Sequence, residues 1–272
     1  MTIQFYPNGI GGTAPGDSLD LARPLLTSGN IWYVSSLIGT DAASPAGQNR
    51  EKPLATVAQA ITNAADEDIV VFLPGHTQTL TAVQNVAKAL TFVGEGTTAG
   101  KPAVQFLMNA AAATIFNVTA TAAEFRNIYF PPNLQANASP KMVLGSEGVV
   151  RGCYFEQGAT DTGAGLNVTG NRCRIESTTF ISVATSTAAQ PNCAIRGIGP
   201  LITAMVLKDV VVSAGTVGYS TYAAIDFAGI AVTRLRVEGL SLLLGADADF
   251  GIGTTGRVNV QLSTGGSRVI WS

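Results

Sequence analysis

Few residues in this chain have types and spacings suited to chemistry. Asp247 and Asp249 in GADADF stand two apart. On a strand their carboxylates would share one face and suit a cation, whereas between two apolar runs they read as a polar turn. Arg196 in CAIRGIG and Asp226 in AAIDFAGI each alternate with apolar neighbours, which sends both side chains outward and suits an ion pair. His76, the only histidine, follows Pro74 and Gly75. It has no second histidine for a metal and no cysteine phrase for a dyad, so it is expected on a surface loop. Cys153, Cys173 and Cys193 are an odd set and read as buried thiols. Gly251 to Gly256 spells a dinucleotide fingerprint, but RVNVQL follows as a strand where a helix N-terminus is needed. GEGTTAGKP, Gly94 to Pro102, is a near miss to a phosphate loop, with Pro102 where a hydroxyl would bind magnesium; it reads as a glycine turn. No catalytic residue, metal site or cofactor is predicted.

The elements that must position these residues repeat. Phe125-Arg126-Asn127-Ile128-Tyr129-Phe130 returns as Val150 to Phe155, Ile175 to Phe180, Leu207 to Val212 and Val237 to Leu242, and a weaker relative runs from Ala87 to Phe92. The first residues of the five phrases step by 25, 25, 32 and 30 positions, a period that signals stacked repeats. Within each phrase the apolar fourth and sixth positions flank a tolerant fifth, the period of two of a half-buried strand. The third position is Asn127, Gly152, Ser177, Asp209 or Gly239, types that suit a sharp bend. Another β-rich piece precedes each phrase, so a repeat holds about three short strands. Parallel rungs stacked about 4.8 Å apart around one interior make a parallel β-helix. In it Arg126, Arg151, Glu176, Lys208 and Glu238 would form a solvated charge ladder on an outer wall.

Composition agrees: 46% hydrophobic and only 12% charged residues suit a long stacked core. The net charge of −2 leaves no basic stripe for phosphates, which argues against nucleic acid. No apolar run approaches a membrane span, and MTIQFYPNGIGG lacks the basic start and apolar block of a secretion signal, so folding in a cytoplasm is expected. Residues 69–272 are expected to form about seven coils as one domain, and 31–68 a lead-in strand, a loop and a capping helix. In the latter, Leu54, Val57, Ala58 and Ile61 fall at helical spacing after Pro53. Residues 1–30 lack a period yet carry Ile3, Phe5, Tyr6, Ile10, Leu19 and Leu21, an extended arm with apolar residues that want burial.

From Trp32 to Gly75 the chain reads WYVSSLIGTDAASPAGQNREKPLATVAQAITNAADEDIVVFLPG. This segment resembles the opening of the pectin-lyase-like right-handed parallel β-helix superfamily, and Asn127 resembles the asparagine at that superfamily's tight turns. The resemblance implies an all-β, single-stranded, right-handed β-helix. For function it spans polysaccharide lyases, glycan hydrolases, esterases, and bacteriophage spike, fibre and capsid-surface proteins. The lyases use a calcium-binding carboxylate cluster with a basic residue, and the hydrolases close aspartate pairs; here charges are sparse and dispersed. The expectation is therefore a non-catalytic structural protein of a bacteriophage virion, a homotrimeric capsid decoration or cement protein. It would be assembled in the host cytoplasm and displayed on the virion surface, with its arm anchored to the major capsid protein or another virion protein. Tyr129, Tyr154, Leu243 and Leu244 are the candidates for the trimer face. The alternative is a tail-spike or fibre module that binds or cleaves host surface polysaccharide, with Arg196 and Asp226 touching the glycan.

Overall fold

The computed structural model describes residues 29–41, 46–111, 113–183, 193–199, 201–214, 225–227, 230–243, 250–252 and 258–261. Among the described residues three parallel walls run along the molecule, one of nine strands and two of seven. The first wall begins with Ile31–Val34 and Ile69–Phe72 and continues through Glu124–Arg126 and Val149–Arg151. The second carries Gln105–Met108, Tyr129–Phe130 and Tyr154–Gln157, and the third Phe116–Val118, Met142–Leu144 and Ile195–Gly197. Each coil visits the three walls in turn, which makes a parallel β-helix. The β-helix makes about five turns, somewhat fewer than the seven expected.

Strand register explains the apolar alternation. Val70, Phe92, Phe125, Val150, Ile175, Leu207 and Val237 stand directly above one another on the inner face of the first wall. On the second wall Phe130, Phe155 and Phe180 do the same, with ring centroids 4.6 and 4.8 Å apart. That separation is the rung spacing itself, so parallel stacking places these three rings in offset contact. All three thiols are buried, as their odd number suggested.

The bends fall where the repeated phrase puts them. Asn127, Gly152, Ser177, Asp209 and Gly239 have φ of 52, 61, 47, 52 and 60°. The first four donate their backbone N–H to the carbonyl of the residue before the next bend, as from Asn127 to Arg151 at 3.0 Å and from Ser177 to Lys208 at 2.8 Å. A second left-handed column was not foreseen: Ala122, Glu147, Arg172, Ala204 and Arg234 turn the chain from the third wall back to the first at φ between 55 and 65°. Their types do not advertise that geometry. It is imposed by bonds to the next coil, such as Glu147 N–H to Asn171 O and Arg172 N–H to Thr203 O, both 2.7 Å. Ala122 is exposed, so its methyl packs on nothing while its backbone is strained. Ala122→Gly is therefore expected to stabilise the fold by about 0.5–1 kcal/mol, read as a shift of the denaturant midpoint. An unchanged or lower midpoint would show that the column stores no strain.

The lead-in segment closes the open end. Helix α1 (Val57–Asn63) starts at Thr56, whose hydroxyl accepts the Gln59 N–H at 3.3 Å, and it buries Val57 and Ala60. Lys88 Nζ caps the other end on the carbonyls of Ile61 and Thr62 at 2.8 and 3.1 Å, where a cation also suits the helix dipole. Asp68 ties the lead-in strand to the body by accepting Asn30 N–H at 2.6 Å, Trp32 Nε1–H at 2.9 Å and Ala65 N–H at 2.8 Å. Burial would raise the Asp68 carboxyl, but these donors win and hold it below its ordinary value. His76 corrects an expectation. It lies fully buried, its ring centroid 5.2 Å from that of Phe72 and 5.3 Å from that of Phe106. The Pro-Gly turn before it folds the chain inward, and the Ser36 N–H is anchored on its Nδ1 at 2.9 Å. The arm residues Ile3, Phe5, Tyr6, Ile10, Leu19 and Leu21 lie outside the described residues.

Candidate functional site

Polar groups meet on the outside of each wall, and each meeting has its own chemistry. On the first wall the predicted ladder is real: Arg126, Arg151, Glu176, Lys208 and Glu238 are consecutive register partners. Its one like-charge contact is defused, because Arg126 pairs with Glu124 at 2.6 Å and Arg151 with Glu176 at 2.7 Å. Arg174 and Arg236 add ion pairs to Glu176 and Glu238. Burial alone would raise Glu176, but Arg174 and Arg151 together hold it below its ordinary value. Beyond that first step cation meets anion along the stack, the arrangement of a structural surface.

On the third wall Arg196 and Asp226 are register partners on successive coils, and Arg196 Nε lies 3.6 Å from an Asp226 oxygen. This is the cross-coil ion pair that the alternation predicted. Asp226 is buried and Arg196 partly exposed. Asp247 and Asp249 lie outside the described residues. Among the described residues no group of three or more His, Cys, Asp or Glu is arranged to hold a metal ion.

The second wall carries the densest outward cluster. Tyr129 and Tyr154, both trimer-face candidates, are register partners with ring centroids 5.5 Å apart and planes at 86°. Leu243 belongs to the same wall, in register with Ser213, while Leu244 lies outside the described residues. The Tyr129 hydroxyl donates to Glu156 at 2.8 Å. Into this corner reaches Lys101, its Nζ 4.9 Å from the Tyr129 centroid, 4.8 Å from that of Tyr154, and 2.5 Å from a Glu156 oxygen. The lysine comes from a short antiparallel hairpin, Thr97–Thr98 with Lys101–Pro102, within the segment that read as a glycine turn. Burial lifts the Tyr129 phenol to about 12, with Glu156 adding to the effect. Burial opposes the charge on Lys101, yet Glu156 outweighs it and raises that ammonium. Near neutral pH the corner therefore presents two neutral phenols and an ammonium bound to Glu156. It can hold a cation, but a protonated phenol is no base.

Behind this corner sits a fully buried ion pair. Lys141 Nζ donates to Asp161 Oδ1 at 2.9 Å, Pro131 O at 2.8 Å and Asn133 Oδ1 at 3.4 Å. Burial depresses the ammonium, against the pull of Asp161. Neither this pair nor Lys101 with Glu156 was found from the sequence. The one signal available was Lys141 itself, a lysine where the pattern calls for the start of a core strand. The thiols offer no nucleophile, since burial pushes Cys153 and Cys193 up to about 12 and Cys173 to about 11.

No family model matches the chain. No curated protein matches it either. Among solved structures it is similar to a rhamnogalacturonan lyase, with a TM-score of 0.52 and 13% identity over 89% of this chain. The match spans 65% of that lyase's length. At this identity the likeness concerns the fold alone, an all-β right-handed parallel β-helix.

Proposed function

We propose that this protein is a non-catalytic structural component of a bacteriophage virion, a homotrimeric decoration protein on the capsid surface. The observation that carries the reading is the outer charge ladder: Arg126, Arg151 and Glu176 are spent on cross-coil and in-strand pairs that stiffen a rod. The outward tyrosines of the second wall, Tyr129 and Tyr154, supply aromatic area suited to side-by-side packing of three copies. Residues 1–30, with Ile3, Phe5, Tyr6, Ile10, Leu19 and Leu21, supply an apolar anchor for the major capsid protein or another virion protein. The test joins sedimentation with co-purification on capsid shells. A trimeric mass, and shell binding lost when residues 1–30 are deleted, are expected. A monomeric mass, or binding unaffected by the deletion, would overturn the proposal.

A second reading has its own support: the Lys101, Tyr129, Tyr154 and Glu156 corner and the Arg196 and Asp226 pair are polar and aromatic groups of the kind that contact sugars. On this reading the chain is a tail-spike or fibre module for host surface polysaccharide. Unsaturated sugar products detected by ultraviolet absorbance would favour it over the structural role.

A further inference from the structure

Tyr129 and Tyr154 are fixed by neighbouring coils of the second wall, and Glu156 lies two residues beyond Tyr154 on the same strand. The Tyr129 hydroxyl binds Glu156 and the Tyr154 ring meets the Tyr129 ring edge-on, contacts that do not involve Lys101. Two aromatic faces and a carboxylate only 15% exposed make a cage that demands a cation. The group that answers is delivered differently. Lys101 projects from a hairpin with two residues per strand, flanked by Gly96 and Gly100 at φ of 82 and 79°, and Thr97 to Gly100 are exposed. The lysine side chain itself remains 35% exposed. A rigid cage is thus plugged by the tip of a short external loop.

We propose that the corner formed by Tyr129, Tyr154 and Glu156 is a binding site for a lysine side chain of a protein partner, and that Lys101 occupies it in the free chain as a removable plug. Lys101 itself supplies the argument for the ligand. Its ammonium reaches within hydrogen-bonding distance of the carboxylate while sitting over both tyrosine rings, the arrangement that any unhindered lysine would reproduce. The proposal does not depend on the virion reading. Because the plug is tethered, its effective concentration is of millimolar order, and an external lysine competes poorly until the hairpin is drawn away or the contact is repeated across an interface.

The test uses the full chain, with Nα-acetyl-lysine methylamide as the probe, titrated calorimetrically and followed through tyrosine ring signals. Lys101→Ala is expected to bind the probe at least about tenfold more tightly than the unaltered chain, because the internal competitor is gone. Adding Glu156→Gln to that variant should cancel the gain, and the uncharged norleucine analogue should not bind. Lys101→Gln, which keeps a shorter uncharged polar side chain on the hairpin, should rank with Lys101→Ala and guards against a folding artefact. Equal affinity with and without Lys101, a gain that survives Glu156→Gln, or binding of norleucine would each overturn the cage. Preference for glucosamine over the lysine probe would overturn the protein partner in favour of an amino sugar.

Discussion

Lys141→Met is expected to cost the fold about 3–5 kcal/mol, because it strands a buried carboxylate. Lys141 and Asp161 have side chains only 1% and 3% exposed. The ammonium has three protons and finds three oxygens, on Asp161, Pro131 and Asn133. Asp161 also accepts the N–H of Gly158 at 3.0 Å and of Asn133 at 3.2 Å, so every polar group facing it is a donor. The pair pins the turn after one second-wall strand to the turn on the coil above, which packs so closely that a β-carbon on Gly163 would sit 2.3 Å from Ser139 O. Methionine fills the volume of the lysine stem, and the loss therefore reports charge more than cavity. Lys141→Met combined with Asp161→Asn should recover most of the stability, since neither member then carries a charge that lacks its counterpart. Denaturant unfolding of the two single variants and the double variant gives the coupling energy. A coupling below about 1 kcal/mol would mean that water or a neighbour compensates the lone carboxylate, and the account of the pair would fail.

The legibility of this molecule followed its periodicity. The bend at Asn127, Gly152, Ser177, Asp209 and Gly239 was readable because those types suit left-handed backbone and recur in step with the apolar phrase. The charge ladder and the facing of Arg196 to Asp226 were readable because parallel register carries a sequence position straight onto its equivalent in the next coil. The capping helix was legible from its spacing and from Pro53. What escaped notice lies off the period. The second column of left-handed residues uses Ala, Glu and Arg, and only hydrogen bonds to the next coil force them there. Lys101 meets Glu156 across 55 residues, from a hairpin that, among the described residues, only one coil possesses. Lys141 and Asp161 belong to connecting segments, where no register rule says who faces whom. His76 was misplaced for a related reason: a Pro-Gly turn marks a change of direction, and inward is one of the directions available.

Acid should expose the consequence of that burial, with stability falling by about 3 kcal/mol between pH 6.5 and pH 4. Burial depresses His76 from 6.5 to about 4. The Gln78 side chain offsets little of this, since its Oε1 is engaged by the Val57 N–H at 2.9 Å. With Nδ1 accepting from Ser36, a second proton would place the cation between Phe72 and Phe106 with no acceptor at Nε2. The folded ring therefore stays neutral through a range in which the unfolded chain takes up a proton. Below pH 6.5 each step of acidification favours unfolding, and the loss levels off only when the folded ring titrates near 4. Asp68 and Glu176 work in a lower window: their folded carboxyls lie below 3.8 and 4.5, so their contribution is lost as pH falls through those depressed values. His76→Phe keeps an aromatic ring in the stack but removes the titration. It should cost about 1–2 kcal/mol at neutral pH, where Ser36 N–H loses its acceptor, and should flatten the profile between 6.5 and 4. Guanidinium midpoints measured across that range for both proteins decide the matter: parallel curves would assign the acid sensitivity elsewhere. A flattened curve would tie it to the junction where Ser36, on the lead-in loop, holds Thr77 N–H on its hydroxyl at 3.0 Å, so that the capped end of the helix opens first in acid.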